Sequence, residues 1–499
     1  MKNEHFSYGK MIWKQFLNHR LGTVALGVAV LFFLIGTYAP FLASSKPLFV
    51  IYDREGYFPL FRYLFYTGFY TKRIDIFFNL MMFSFPLVLL LLIIIRKHFR
   101  LRRALIGVIL ITHLSLFLYF SYKTPGDPAS EPTLARQRQE ALRELRQKGE
   151  SPDWNFDLRY MTPYEKLNLI LRYRHRMAHN ERLLTYVEEG GSTSLSTLWQ
   201  LKRSREQKQI ERYQEVIDGF EEGNANEALA SLQYLSEKRQ WVEEENKKIE
   251  LEVMPLIRHF HWEDDAGGEQ SMNLFLPWWE LTRINRKDLV SALIFGVRIS
   301  LVVGIMAVSL AMLIGIPIGA MAGYYGGKLD IFVSRLLEVW ESMPTFFMLL
   351  LVVAITQSKS IFIVIAVVGI FGWTGFSRYV RGEFFKQRNL PYVEACHALG
   401  FRDSYIMFSH ILPNAIPPVL TLLPFAIMGA ITSEAGLSFL GLGEEGSCSW
   451  GVLMDEGRTA FPGESYLLWP PAILLTLLLI AIALVGDALR DALDPKMHR

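Results

Sequence analysis

Eight apolar runs set the terms on which this chain folds. They cover residues 21–43, 76–95, 104–120, 299–324, 336–355, 361–379, 413–436 and 471–489. About 20 apolar residues cross a bilayer as a helix, and these runs are close to that length or above it. Hydrocarbon offers no partner to a backbone N–H or C=O, so runs of this kind must satisfy those groups internally, as helices. The composition agrees: 51% of the residues are hydrophobic and the mean hydropathy is +0.20. The expected fold class is an all-α polytopic membrane protein.

Charge orients the spans. Arg96, Lys97, Arg100, Arg102 and Arg103 crowd the short connection between the second and third runs. A short loop this basic marks the cytoplasmic face, and its position between two spans argues against a nucleic-acid patch. Counting outward from it places both termini in the cytoplasm. The N-terminal Lys2, Lys10, Lys14 and Arg20 and the C-terminal Arg490, Lys496 and Arg499 agree. The first run is longer than a signal-peptide core, so it reads as a retained helix. A net charge of +3 gives no general attraction for nucleic acid. The two cysteines, Cys396 and Cys448, fall on opposite faces, so no disulfide is expected.

Residues 122–285 differ in kind. The stretch 122–270 holds 22 Lys/Arg and 28 Asp/Glu, against 30 and 21 in the rest of the chain. Apolar residues recur at helical spacing over 163–187, over 210–220 and at Leu229, Leu232 and Leu235, with Gly223-Asn224 read as a turn. A mostly helical soluble domain follows. A tetratricopeptide-like repeat is disfavoured because no second copy occurs. By parity the domain lies outside the cytoplasm, since long loops translocate largely regardless of charge. The expected division is 1–121, three spans with an outer loop at 44–75; 122–285, the helical extracytoplasmic insertion; and 286–499, a five-span core.

Between the sixth and seventh runs, on the cytoplasmic side, lies YVEACHALGFRDSYIMFSHILPN, residues 392–414. Residues 394–399 suit one short helix. Gly400 suits a sharp turn, because it adopts backbone conformations closed to other residues. Residues 401–409 suit a second helix, with Tyr405 and Phe408 one turn apart. Leu412-Pro413 opens the next span, where proline is tolerated in the first turn.

This stretch resembles the cytoplasmic EAA loop of ABC importer permeases: Glu-Ala-Ala, three residues, Gly, nine residues, Ile, any residue, Leu-Pro. Cys396 stands for the second Ala and His410 for the Ile. Residues 282–499 look like the C-type permease subunit of dipeptide and oligopeptide importers. The resemblance rests on DLVSALIFGVRISL (288–301), AGYYGGKLD (322–330), SEAGLSFLGLG (433–443) followed by Ser449-Trp450-Gly451, and GDALRDALDP (486–495). Arg286-Lys287-Asp288 stands where the family usually has Gly-Arg-Asp. KPLFVIYDREGYFPL (46–60) is similar to the outer loop of the microcin-type branch.

The resemblance implies a type I ABC importer transmembrane core in the bacterial cytoplasmic membrane, with the EAA loop at 386–413. It implies a role in ATPase coupling for Glu394, Ala395, Cys396, Gly400, Phe401, Arg402, Asp403, Tyr405, His410, Leu412 and Pro413. The implied partners are a second, B-type permease subunit, two ABC ATPase subunits, an extracytoplasmic substrate-binding protein and membrane lipid, with no nucleic acid. No cofactor is expected in this chain, and ATP and Mg belong to the ATPase subunits. Gly327-Lys328 is the nearest approach to a phosphate-binding loop, but Ala322 and Leu329 stand where Gly and a hydroxyl are needed. The expected function is a transport permease for di- or oligopeptides, not an enzyme. Nickel or antimicrobial peptides are rival cargoes, and a membrane-anchored sensor or scaffold is the rival class.

Three further features carry less. Ser433 and Glu434 lie near the end of a span and are candidates for a pathway or gate, since an intramembrane acid is costly. The alternative is a hydrated carboxylate at the interface. His259, His261, Glu263, Asp264 and Asp265 could ligate a metal, but a solvated charged linker explains them better, and no metal site is expected. Trp278-Trp279 suits an interfacial anchor.

Overall fold

The computed structural model describes residues 8–66, 72–95, 99–122, 131–174, 222–257, 283–284, 287–444, 446–459 and 467–493. In chain order the elements are α1 (Tyr8–Asn18), α2 (Arg20–Thr37), β1 (Phe49–Tyr52), β2 (Glu55–Tyr57), α3 (Arg73–Ile94), α4 (Phe99–Tyr122), α5 (Pro132–Gln147), α6 (Trp154–Arg159), α7 (Glu222–Asn246) and β3 (Ile249–Val253). They continue with α8 (Leu289–Tyr325), α9 (Gly327–Glu341), α10 (Thr345–Thr356), α11 (Ile361–Gln387), α12 (Pro391–Ala398), α13 (Leu412–Leu420), α14 (Leu423–Leu437), α15 (Trp450–Thr459) and α16 (Trp469–Leu493). Two compact units emerge. One is built on α1, α2 and the elements from α8 onward, the other on β1–β3 and α4–α7, and α3 divides between them.

Seven helices are long and apolar enough to cross a membrane among the described residues: α2, α3, α4, α8, α11, α14 with the turn after it, and α16. The pair α9–α10, bent by 70°, makes an eighth when taken as one span. The single span expected at 336–355 is therefore broken. Proline disfavours helical backbone in the residue before it, and Pro344 stands in extended conformation as the N-cap of α10. The span expected at 413–436 is also interrupted, between α13 and α14. Pro417, Pro418 and Pro424 supply no N–H to the helical ladder there.

The longest helix, α8, begins ten residues before the expected 299. Asp288 caps it, its carboxylate accepting from Ser291 N at 2.8 Å. Its 37 residues rise about 55 Å, well beyond a hydrocarbon slab of about 30 Å. Hydropathy hides the first turns because Ser291 and Arg298 interrupt the apolar run ahead of 299, and Ser300 sits just inside it. All three are buried. Arg298, 0% exposed, donates from Nε to Gly36 O at 2.7 Å and from Nη2 to Thr37 O at 3.5 Å. Those are carbonyls at the C-terminal end of α2, where the helix supplies no donors of its own.

Small residues let α8 and α11 meet backbone to backbone. Gly315, Gly319 and Gly323 recur every four residues on α8 and face Trp373, Ser377 and Arg381 of α11. A methyl on Gly323 would lie 2.6 Å from Arg381 O, and one on Gly369 would lie 2.9 Å from Ala307 O. Such seams are the usual means of close helix association in lipid, where no hydrophobic force separates helix from solvent.

The second unit is organised on a sheet of order β2-β1-β3, antiparallel throughout, with Val50 opposite Tyr57 on one side and Glu252 on the other. Val50, Tyr52, Tyr164, Leu167, Ile170 and Leu171 form its core. Asp157 is also buried, accepting two bonds from Arg138 at 2.8 and 3.1 Å and one from Tyr234 OH at 2.5 Å. The expected division at residue 122 separates strands that pair: β1 and β2 come from the 44–75 loop and β3 from the insertion. The partners lie about 200 residues apart, so no local pattern announces them. Gly223-Asn224, read as a turn, lies in the first turn of α7. A glycine in a helix costs roughly 1 kcal/mol, which a 25-residue helix absorbs. The helical spacing at 210–220, the His259–Asp265 group and Trp278-Trp279 lie outside the described residues.

Candidate functional site

The loop after α11 is an elbow. Arg388 closes α11, and Pro391 opens α12 at its first turn, where its missing N–H costs nothing. Tyr392 OH donates to Gln387 Oε1 at 2.6 Å and ties α12 back to α11. Three residues then end α12. Leu399 N bonds Ala395 O at 3.0 Å, Gly400 N bonds His397 O at 2.9 Å, and Phe401 N bonds Cys396 O at 3.1 Å. The last two bonds, with Gly400 at φ +75°, make a Schellman cap. Phe401 is thereby held out of helix, and so is Arg402, which stands extended at ψ 145°. The second helical arm therefore starts at Asp403, not at Phe401 as expected.

That arm runs without a break into the next span. Asp403–Tyr405 is one α-turn, Ile406–Ile411 is a π-helical segment, and α13 follows from Leu412 with Pro413 in its first turn. The π register is visible in Leu412 N bonding Met407 O, five residues back. Single π-turns inside helices are common at functional sites.

The elbow has an inner and an outer face. Val393, Cys396, Ile406, Met407 and Ile411 are buried. Glu394, Ala395, Arg402, Asp403 and Pro413 are exposed, and Leu412 is half-buried. Leu399, Phe401, Tyr405 and Phe408 are also exposed, Leu399 by 72%. The His410 ring stacks on Phe401 at 5.9 Å and meets Tyr405 edge-on at 5.2 Å, while Phe401 and Tyr405 meet at 5.3 Å. The structure thus gathers all eleven predicted coupling residues at one bend, with an aromatic triad and a protruding leucine outward.

Glu434 sits in a different setting. It is 3% exposed, which corrects the hydrated-interface alternative. Its Oε1 accepts from Ser438 Oγ at 2.7 Å and from Ser449 Oγ at 2.6 Å. Ser449 Oγ in turn accepts from Gly451 N at 3.2 Å. A methyl on Gly451 would lie 2.5 Å from Ala435 O, so α14 and α15 touch there backbone to backbone. Trp450 Nε1 donates to Leu293 O of α8 at 3.0 Å. Ser433 is half-buried, its hydroxyl donating back to Gly429 O at 2.8 Å. Among the described residues no group of three His, Cys, Asp or Glu could hold a metal.

Residues 315–499 match the family model of the binding-protein-dependent transport system inner membrane component, and residues 7–58 match that of the N-terminal TM domain of oligopeptide transport permease C. Over 251 residues, half of this chain, the sequence is 38% identical to the oligopeptide transport system permease protein OppC of Haemophilus influenzae, and the match spans 80% of that protein. The chain belongs to this family of transport permeases. The permease is also 37% identical over 219 residues to the peptidoglycan transport system permease protein YejE of Agrobacterium fabrum, covering 44% of this chain and 57% of that one. It is 37% identical over 218 residues to the inner membrane ABC transporter permease protein YejE of Escherichia coli, covering 44% and 63%. The matches thus span under two thirds of each of these two relatives. Between the stretches matched to the two family models lie residues 59–314.

Sequence reasoning overlooked Arg298, Lys359 and Tyr324 as individuals. A lone arginine inside an apolar run is a signal that could have found the first. Lys359 Nζ donates to Gly441 O at 3.0 Å, in a turn where Gly441 has φ +79°, and nothing in the local pattern announces that pairing.

Proposed function

We propose that this permease is one half of a heterodimeric, ATP-driven importer that moves peptides by alternating access, with ATP hydrolysed on two separate ATPase subunits. The observation that carries the reading is the elbow. It is a bend capped at Gly400, with Leu399, Phe401, Tyr405 and Phe408 exposed beside Glu394, Arg402 and Asp403, running without a break into α13 and joined to α11 by a short turn. A short helix offered to a groove is a common recognition mode. In this reading Glu394 to Pro413 engages an ATPase, and closure of the ATPase pair on ATP moves the elbow and the helices joined to it. Such a switch works only where the two states are stabilised differently.

Supporting the orientation, Arg100, Arg102 and Arg103 sit at the start of α4, and basic short loops stay in the cytoplasm. Eight crossings then put both termini in the cytoplasm of a bacterial inner membrane. Residues 122–285 fall outside, where the substrate-binding protein docks. Ser433 and Glu434 contribute to a gate, Glu434 being held by its bracket to Ser438 and Ser449.

A second cargo, fragments of peptidoglycan, is favoured by the name of the Agrobacterium relative, a peptidoglycan transport system permease. Uptake of labelled peptides of several lengths, of muropeptides and of nickel, in cells with and without this chain, tests the proposal. Peptide uptake that depends on the chain is expected. Dependence of muropeptide uptake alone moves the cargo to the second reading, and dependence of none overturns transport.

A further inference from the structure

At Gly400 the elbow is held by the backbone bonds of its cap alone. No side chain braces it: nothing lies within 4 Å of where a Cβ would be. The first arm is a helix of eight residues, too short to be rigid alone, and the second begins with a three-residue α-turn ahead of the π segment. One outside residue reaches both arms. Tyr324, near the end of α8, donates its hydroxyl to Asp403 Oδ1 at 2.9 Å on the second arm. The same oxygen lies 3.3 Å from His397 Nε2 on the first arm. The two rings stack, with centroids 6.2 Å apart and planes 24° apart.

Tyr324 is itself held firmly. Arg388, the cap of α11, donates from Nη1 to Gly323 O and to Tyr324 O, both at 3.3 Å. A methyl on Gly326, the next turn residue, would lie 2.6 Å from that guanidinium. Arg381 of α11 pairs with Asp330 of α9 one turn away. The end of α8 is thus held to α11 by the Arg388 guanidinium and by close packing.

We propose that Tyr324 is a positioning residue that sets the angle of the Gly400 elbow and passes its displacement to α8. This rests on the coupling role given to the elbow above. A displacement of either arm pulls on one phenol oxygen, and the glycine seam carries that pull from α8 to α11. Without the hydroxyl the arms can hinge at Gly400 while α8 stays in place, so ATP would be spent without moving cargo.

The test uses the assembled transporter, purified with its partner subunits and reconstituted in liposomes. The readout is labelled peptide imported per ATP hydrolysed. Tyr324→Phe keeps the ring stack and removes the hydroxyl. The expected result is a fall of about fivefold in that ratio, the scale of one ordinary hydrogen bond, with the amount of co-purified ATPase unchanged. Asp403→Ala removes the same bond from the other side, and the double variant should be no worse than Asp403→Ala alone, because Tyr324 acts through that bond. Gly400→Arg separates the two claims. If it abolishes import while Tyr324→Phe leaves the ratio intact, the proposal for Tyr324 falls and the coupling role of the elbow stands. If both leave import intact, the coupling role falls. If Tyr324→Phe lowers ATPase capture and import together at constant ratio, the residue is merely structural and the proposal is overturned.

Discussion

Replacing Gly319 by alanine asks how tightly α8 and α11 are joined. The new methyl would lie 3.0 Å from Ser377 Cα and from its carbonyl carbon, and closer still to Ser377 O. Carbon atoms rest about 3.5–4.0 Å apart, so the helices must part by roughly 0.5–1 Å. The obstructing atoms are backbone, and no rotamer change relieves them. Overpacking of this kind costs about 1–3 kcal/mol. Alanine is also the better helix former by roughly 1 kcal/mol, which offsets part of the loss. Gly375→Ala on α11 isolates that second effect, since a Cβ there meets nothing within 4 Å. The prediction is a Gly319→Ala protein less stable than Gly375→Ala by about 1–3 kcal/mol. Thermal unfolding in detergent, followed by tryptophan fluorescence, measures it, with Trp373 buried on α11 close to the seam. Equal midpoints for the two variants would refute the close-packed seam.

Three other outcomes follow from the geometry. At Gly400 the left-handed backbone costs a residue bearing a Cβ about 1–2 kcal/mol, with no clash added. Gly400→Val should therefore impair uptake strongly, while Gly400→Asn, which visits that region readily, should retain most of it. Arg298→Met leaves Gly36 O and Thr37 O buried without their donor, at a cost of roughly 1–3 kcal/mol; a lower unfolding midpoint in detergent is expected. In the second unit, burial raises the Glu245 carboxyl, but hydrogen bonds from Lys248 and Tyr52 outweigh it and hold the group below its ordinary value. Its contribution to stability is complete above the unfolded value of about 4.3 and is lost as pH falls through the lower folded value. Glu245→Gln should flatten that acid limb in a pH series of unfolding midpoints.

The spans were legible because hydrocarbon leaves a chain so few options, and the breaks within them were legible in principle from proline. Met343-Pro344 splits α9 from α10, and Pro424, in the first turn of α14, follows the break from α13. The start of α8 was hidden for the opposite reason. Arg298 reads as an interruption until its acceptors are known, and they lie some 260 residues earlier on α2. The sheet of the second unit was hidden likewise, since β1 and β3 are short and far apart in the chain. At the elbow, the helix, the glycine turn and the proline were readable from local chemistry. The start of the second arm was missed because the cap takes Phe401 N for Cys396 O, and no residue preference announces that bond.

Two stretches that spell the same family answer to different physical demands. Around Gly400 the demand is on backbone angle: the position is open, and only its φ of +75° restricts it. Around Glu434 the demand is on volume and hydrogen bonding. Gly451 and Gly443 have no room for a methyl, and a methyl on Gly443 would lie 2.5 Å from Val452 Cγ2 and 2.6 Å from Ser438 Oγ. A glycine in either stretch looks alike on paper. Asparagine separates them, because it relieves a positive φ and aggravates a clash. Gly400→Asn should leave a working elbow, whereas Gly451→Asn must push α15 away from Ala435 and strip Ser449 from Glu434. The turn at Gly400 is thus open and exposed, while the buried bracket holds α8, α14 and α15 together.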